Sequence, residues 1–257
     1  MTAQEQFIAF LTITRKEIKR FLRIWLQTLV PPVITITLYF VIFGNLIGKR
    51  IGLMSGVSYM EFVVPGLIMM AVITSSYTNV VSSFFGAKFQ RFVEEILVSP
   101  TPNYIIVLGF AMGGVARGMI VGIIVTVVAL FFTDIHIHNL PVTVVIVVMT
   151  SVLFSLAGLI NAIYANSFDD ISIVPTFLLT PLIYLGGVFY SIDLLPEFWG
   201  SVSKANPILY IVNAFRYGVL GISDINVQWA FLMIGGFTVA AYAYCLNLLN
   251  SGKRLRM

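Results

Sequence analysis

Charge is what this sequence has least of. Only 10% of its 257 residues are Asp, Glu, Lys or Arg, while 59% are hydrophobic and the mean hydropathy is +0.98; a soluble domain carries about 25% charged residues. So few charges cannot cover a water-soluble surface. Charge-free stretches of about 25 residues recur, Ile24 to Gly48 among them, and a helix needs only ~20 residues to cross a ~30 Å hydrocarbon core. The bilayer is the expected solvent, and helices, which satisfy their own backbone groups, are the expected elements.

Other scarcities exclude further classes. The single cysteine, Cys245, sits in an apolar run, forms no internal disulfide and carries no information about compartment. The two histidines, His136 and His138, have only Asp134 beside them, a weak metal spacing for which a plain loop is the preferred reading. A converging Ser/His, Asp/Asp or His-rich set suited to membrane-embedded catalysis is missing. A phosphate-cradling GxxxxGK[ST] loop is missing too. Gly44 to Arg50 comes nearest, but it has one residue too few between its glycines and arginine where Ser or Thr belongs. The first apolar run follows a long polar lead and ends in no small-residue cleavage pattern, so it is expected to stay as an anchor. The net charge of +4 gathers at the ends of apolar runs, where Lys and Arg orient spans, and does not argue for nucleic acid.

What is present reads as a row of helices. Phe7, Leu11, Thr14, Ile18 and Phe21 share a helical spacing, with Lys16, Lys19, Arg20 and Arg23 on another face. This predicts an amphipathic helix over 2–23 lying on the membrane surface. Six spans are expected over 24–48, 62–86, 105–132, 142–164, 171–190 and 227–249. Pro31-Pro32 should kink the first. Segment 88–100, with Lys88, Arg91, Glu94 and Glu95 before Pro100-Thr101-Pro102, reads as a short polar helix outside the bilayer. Residues 191–221 are too polar to span and too apolar for a solvated loop, and predict two short elements dipping into the bilayer edge.

Counting Lys and Arg sets the expected orientation. Five at the amino end, two (Lys88, Arg91) after the second span and three at the carboxyl end make ten, against four (Lys49, Arg50, Lys204, Arg216) on the other side. Both termini and segment 88–100 are expected in the cytoplasm. The Asp169-Asp170 turn follows by span count alone, since no positive charge supports it.

Leu179 to Arg216 is the most specific stretch: Leu179, Leu182, Leu185-Gly186, Val188, Leu195-Pro196, ten further residues, Pro207-Ile208, Tyr210 and Arg216. It resembles the signature of ABC type-2 transporter permeases, membrane subunits of exporters for polysaccharides, lipid-linked molecules and drugs. The run Glu94-Glu95-Ile96-Leu97-Val98-Ser99-Pro100 and the span count fall where that family has them. The resemblance implies an all-α integral membrane fold with six transmembrane helices, an N-terminal amphipathic helix, a cytoplasmic coupling helix and outer re-entrant half-helices. It implies that Arg91, Glu94, Glu95, Ile96, Leu97 and Pro100 dock an ATP-binding subunit, with the N-terminal helix as a second contact. Gly186, Pro196, Pro207, Tyr210 and Arg216 would build the re-entrant pair. There Tyr190, Trp199, Tyr210 and Tyr217 serve as interfacial anchors, and Gly186-Gly187 is read as a close-packing element.

The expected assembly is two copies of this chain with two ATP-binding subunits, in the inner (plasma) membrane of a bacterial cell. ATP and Mg would be bound by the partner, with no cofactor in this chain and lipids around it. The first and fifth spans are expected at the dimer interface. Because the spans carry hardly any charge, cargo is expected to be hydrophobic or lipid-like, with glycans and drugs also among the family's substrates. Arg117, inside an apolar run, either lines the pathway or snorkels to the cytoplasmic headgroups; snorkelling is preferred. A secondary transporter is the alternative, but it would want buried acids, and the carboxylates fall almost entirely in loops.

Overall fold

The computed structural model describes every residue but His136 and residues 253–257, and of Asn45, Leu46 and Lys49 only the backbone. The charges of Lys253, Arg254 and Arg256, the side chain of Lys49 and His136 lie outside the described residues.

The chain opens with α1 (Ala3–Arg23), α2 (Trp25–Thr28) and α3 (Val30–Tyr39), then a π-helical stretch Phe40–Ile47 and α4 (Gly48–Ile51). A hairpin of β1 (Leu53–Met54) and β2 (Val57–Ser58) leads to α5 (Tyr59–Phe89), α6 (Phe92–Val98), α7 (Asn103–Ala129) and α8 (Leu140–Tyr164). Next come α9 (Asp170–Val174), a π turn Pro175–Leu179 and α10 (Thr180–Tyr184). A 3₁₀ turn Ile192–Leu194, α11 (Glu197–Lys204), α12 (Pro207–Leu220) and α13 (Val227–Ser251) complete it.

Among the described residues, five segments are long and apolar enough to cross a membrane: Trp25–Gly44, Tyr59–Phe89, Asn103–Ala129, Leu140–Tyr164 and Val227–Ser251. α5 is the axis of the bundle, with 78% of its apolar window buried against 17% for the first segment and 22% for the last. Its start is set by a capping box, in which Ser58 Oγ accepts the Glu61 amide while Glu61 Oε2 accepts the Ser58 amide.

Two expectations change here. The fifth span expected over 171–190 is three five-residue pieces, α9, the π turn and α10, together roughly 22 Å long at 1.5 Å per residue and short of a full core. Pro175 and Pro181 interrupt its ladder, and Gly187, at φ +70°, takes the chain into a turn. The second change concerns α1, which is not a helix free to lie on a surface. Tyr104 donates to Gln6, Ile13 packs on Gly109 and Glu17 on Gly113, so contacts advance together along α1 and α7. The two helices therefore run side by side in one direction. Gly109 and Gly113 make this possible: a Cβ on Gly109 would stand 2.6 Å from Ile13 Cγ2, and one on Gly113 would collide with the Glu17 side chain.

The start of α1 and the end of α13 lie at one end of the molecule. Gln6 bonds Tyr104 near the start of α7, and Asn103 donates to Asn250 near the end of α13 at 2.7 Å. α6 lies at that end, between α5 and α7. So does the Asn166–Asp170 turn, where Phe168 packs on Phe85 and Phe89 at 5.0 and 5.1 Å between ring centroids.

Candidate functional site

α6 is made by a reversal. After α5 ends, Arg91 takes a left-handed conformation (φ +63°) and accepts the Glu94 amide to open the helix. Ser99 closes it with its hydroxyl on the Ile96 carbonyl at 2.6 Å, and Pro100 and Pro102 lead into α7. Glu94, Glu95 and Arg91 are exposed, and among the described residues neither carboxylate meets a basic partner. Ile96 and Leu97 are half-buried against the cluster of Phe85, Val93 and Ile106, whereas Phe92 and Val98 stand 50% and 88% exposed. α6 therefore offers two acids and two different apolar side chains from those expected to carry its outward packing.

Lys88 is not on the short polar helix expected over 88–100 but in the last turn of α5. It is 1% exposed, and its ammonium donates to the carbonyls of Ile163 and Ala165 at 2.7 Å each. Those oxygens end α8, where a helix lacks donors and carries partial negative charge. Beyond them, Asp170 accepts the Asn166 amide at 2.9 Å. That bond, then the Ser167 hydroxyl and more weakly the Lys88 charge, hold its carboxyl below the usual range. The base of α6 is thus joined to the start of α9.

The signature stretch forms a knot around Arg216, which is wholly buried and not a loop charge. Nη2 donates to Gly187 O at 2.7 Å, Nε to Phe62 O at 3.3 Å, and the guanidinium lies 3.8 Å from the Phe62 ring centroid. Asn206 Nδ2 donates to Leu182 O at 2.6 Å while its Oδ1 caps α12 ahead of Pro207. Gly186 admits Ile208, Gly66 touches the Val188 backbone, and Tyr210 donates to Lys204 O at 2.9 Å. Pro196 opens α11, on which Trp199 is exposed. These residues make α11, α12 and the 185–190 turn one unit clamped on α5; their polar groups are used internally.

Sequence reasoning missed a polar cluster inside the bundle. Glu17 is fully buried, its Oε2 accepting Arg20 Nε at 3.2 Å, and Arg20 Nη2 donates to both oxygens of Asn79 at 2.9 Å. Arg117, within electrostatic reach of Arg20, does not snorkel: it is buried and donates from Nη2 to Thr28 O at 2.9 Å. The helical pattern of α1 did not single out Glu17, which packs on Gly113, a residue that no local pattern links to it.

The remaining candidates are structural. His138 stacks edge-on against Tyr217, and its amide donates to Val219 O at 3.0 Å. Cys245 is buried, with Sγ 3.6 Å from Leu156 O. Among the described residues no His, Cys, Asp and Glu group together in a way that would hold a metal.

This architecture has known relatives. The chain is 58% identical to the inner membrane transport permease YadH of Escherichia coli K12 over 250 residues, 97% of this chain and 98% of that protein. It is 24% identical to nodulation protein J of Rhizobium leguminosarum bv. viciae over 185 residues, 72% and 71% of the two chains. Residues 8–220, from within α1 to the end of α12, match the ABC-2 type transporter family. The chain belongs to the ABC-2 type transporters.

Proposed function

We propose that this chain is the permease subunit of an ATP-driven exporter in the inner membrane, a dimer of two copies with an ATP-binding subunit on each. The carrying observation is α6: a helix reversed out of the bundle at the end where the start of α1 and the end of α13 lie, presenting Phe92, Glu94, Glu95 and Val98 with no partner of their own among the described residues. The family membership and the name of the YadH relative support the same reading. With no phosphate loop in the sequence, ATP and Mg belong to the partner.

Closure of the ATP-binding subunits would push on α6, and Lys88 and Phe168 would pass that push to α9 and α10. The first span and α10 meet through Tyr39, Tyr184 and Phe189, with Tyr39 and Tyr184 hydroxyls 3.2 Å apart. Ile34 and Leu38 of the first span and Phe177 and Leu178 of the π turn before α10 are exposed, and this face is the proposed dimer interface and pathway wall. Its apolar character suits a hydrophobic or lipid-like cargo. Termini and α6 are assigned to the cytoplasm from the Lys and Arg count, whose direction holds when buried Lys88 and Arg216 are removed from either side.

The buried Glu17 favours a proton-driven secondary transporter as the competing reading, but its carboxylate is held by Arg20 on its own helix. Co-expression with a Walker-type ATP-binding subunit decides between them. Stable co-purification and ATP hydrolysis that requires both subunits is the expected result; transport driven by a proton gradient in the chain alone refutes it.

A further inference from the structure

Between α2–α3, α5 and α7 lies a cleft of about 340 Å³. Pro31 and Pro32, at the α2–α3 break of the first span, line it. Its lining is mixed: Pro31, Ile36 and Met70 are apolar, and Gln27 and Thr35 from α2–α3, Ser75 from α5 and Arg117 from α7 are polar. Ser75 and Arg117 are both more than nine-tenths buried, and Arg117 Nε and Ser75 Oγ have no hydrogen-bond partner among the described residues. Native interiors rarely leave buried donors unpaired, and each such case asks for a missing acceptor.

The charge balance identifies the acceptor. Arg117 lines the cleft within electrostatic reach of a second guanidinium, Arg20, and the carboxylate of this cluster, Glu17, is already bonded to Arg20. An uncompensated cation with an unused N–H, in a site of low dielectric, favours an anion over water or a neutral group. The first span bordering the cleft is the least covered of the five described apolar segments and leaves Ile34 and Leu38 exposed, so an alkyl chain attached to the anion has an apolar surface to follow.

We propose that this cleft binds the anionic head group of an amphiphile, a phosphate or carboxylate on an alkyl chain, with Arg117 Nε and Ser75 Oγ as donors. Identifying that ligand as cargo rests on the exporter reading; the binding itself does not.

The test uses the full-length protein in dodecyl maltoside, with binding followed by native mass spectrometry and thermal shift. Dodecyl phosphate is titrated against dodecyltrimethylammonium of equal chain length and against inorganic phosphate. Saturable binding of dodecyl phosphate is expected, at least about tenfold tighter than the cationic chain, with no displacement by inorganic phosphate at equal concentration. Arg117→Gln should weaken it about tenfold and Arg117→Lys should retain most of it. Because Arg117→Gln also unpairs Thr28, Ser75→Ala is the second variant, changing one buried hydroxyl and weakening binding about fivefold. Equal affinity for both chain types, or wild-type affinity in Ser75→Ala and Arg117→Gln, overturns the site, and displacement by inorganic phosphate overturns the amphiphile. Complex formation with the ATP-binding subunit is scored separately. An intact complex without dodecyl phosphate binding sinks only the site, and binding without a complex sinks only the exporter.

Discussion

Arg117 donates to the carbonyl oxygen of Thr28 at 2.9 Å, and Thr28 is the residue whose two helical donors, at i+3 and i+4, are Pro31 and Pro32. Proline has no N–H to give. The arginine supplies what the proline pair removes. Arg117→Leu should therefore cost about 1–3 kcal/mol, the price of an orphaned buried carbonyl. Pro32→Ala restores a backbone donor and should recover part of that loss. Unfolding of the single and double variants in mixed micelles measures the coupling, and strictly additive effects would show that the two sites are independent.

α6 should be a docking element. Glu94→Lys with Glu95→Lys reverses two exposed charges without touching the buried Val93, so folding and self-association should persist. Like charges in a desolvated interface cost several kcal/mol. Co-purification with the ATP-binding subunit and stimulated ATP hydrolysis should both fall sharply; wild-type values for both would reduce α6 to a solvated loop.

Lys88 should transmit rather than bind. In Lys88→Met the carbonyls of Ile163 and Ala165 lose their donor, while Glu94 and Glu95 keep their exposure. The complex should still assemble, with cargo-stimulated ATP hydrolysis reduced about tenfold relative to unstimulated turnover. Equal reduction of assembly and turnover would assign Lys88 to folding alone.

Gly113→Val should lift α1 off α7. The added side chain meets Glu17, and α1 cannot move away without straining the Arg20–Asn79 bonds that tie it to α5. A cysteine at Phe21, buried in the parent, should become reactive to maleimide in the variant. Continued protection would mean that α1 is held by other contacts.

Orientation is tested with single cysteines at Thr2, Glu94, Ser251 and Ser201, all exposed. In intact cells the first three should resist an impermeant thiol reagent and Ser201 should react, while the natural Cys245 stays silent because it is buried. Reaction at position 94 from outside would invert the assignment.

The long helices were legible from composition, because lipid offers no partner for backbone groups and a charge-free run of about 20 residues has one stable answer in it. α5, α7, α8 and α13 lie within a few residues of their expected limits. The signature from Leu179 to Arg216 was legible as a pattern, since its prolines and glycines act on their own backbone, and it pointed to the family that residues 8–220 match. Burial was not legible. Lys88, Arg216 and Arg117 were read as charges that reach water, and Glu17 was not singled out; each is inside. Local sequence states that a charge exists, but its cost is set by what stands opposite. The partners, Ile163 for Lys88, Gly187 for Arg216, Thr28 for Arg117 and Gly113 beside Glu17, are remote in the chain and use backbone atoms that every residue possesses. Only the packing of helices on one another chooses which carbonyl a buried cation meets, and that choice belongs to the tertiary structure.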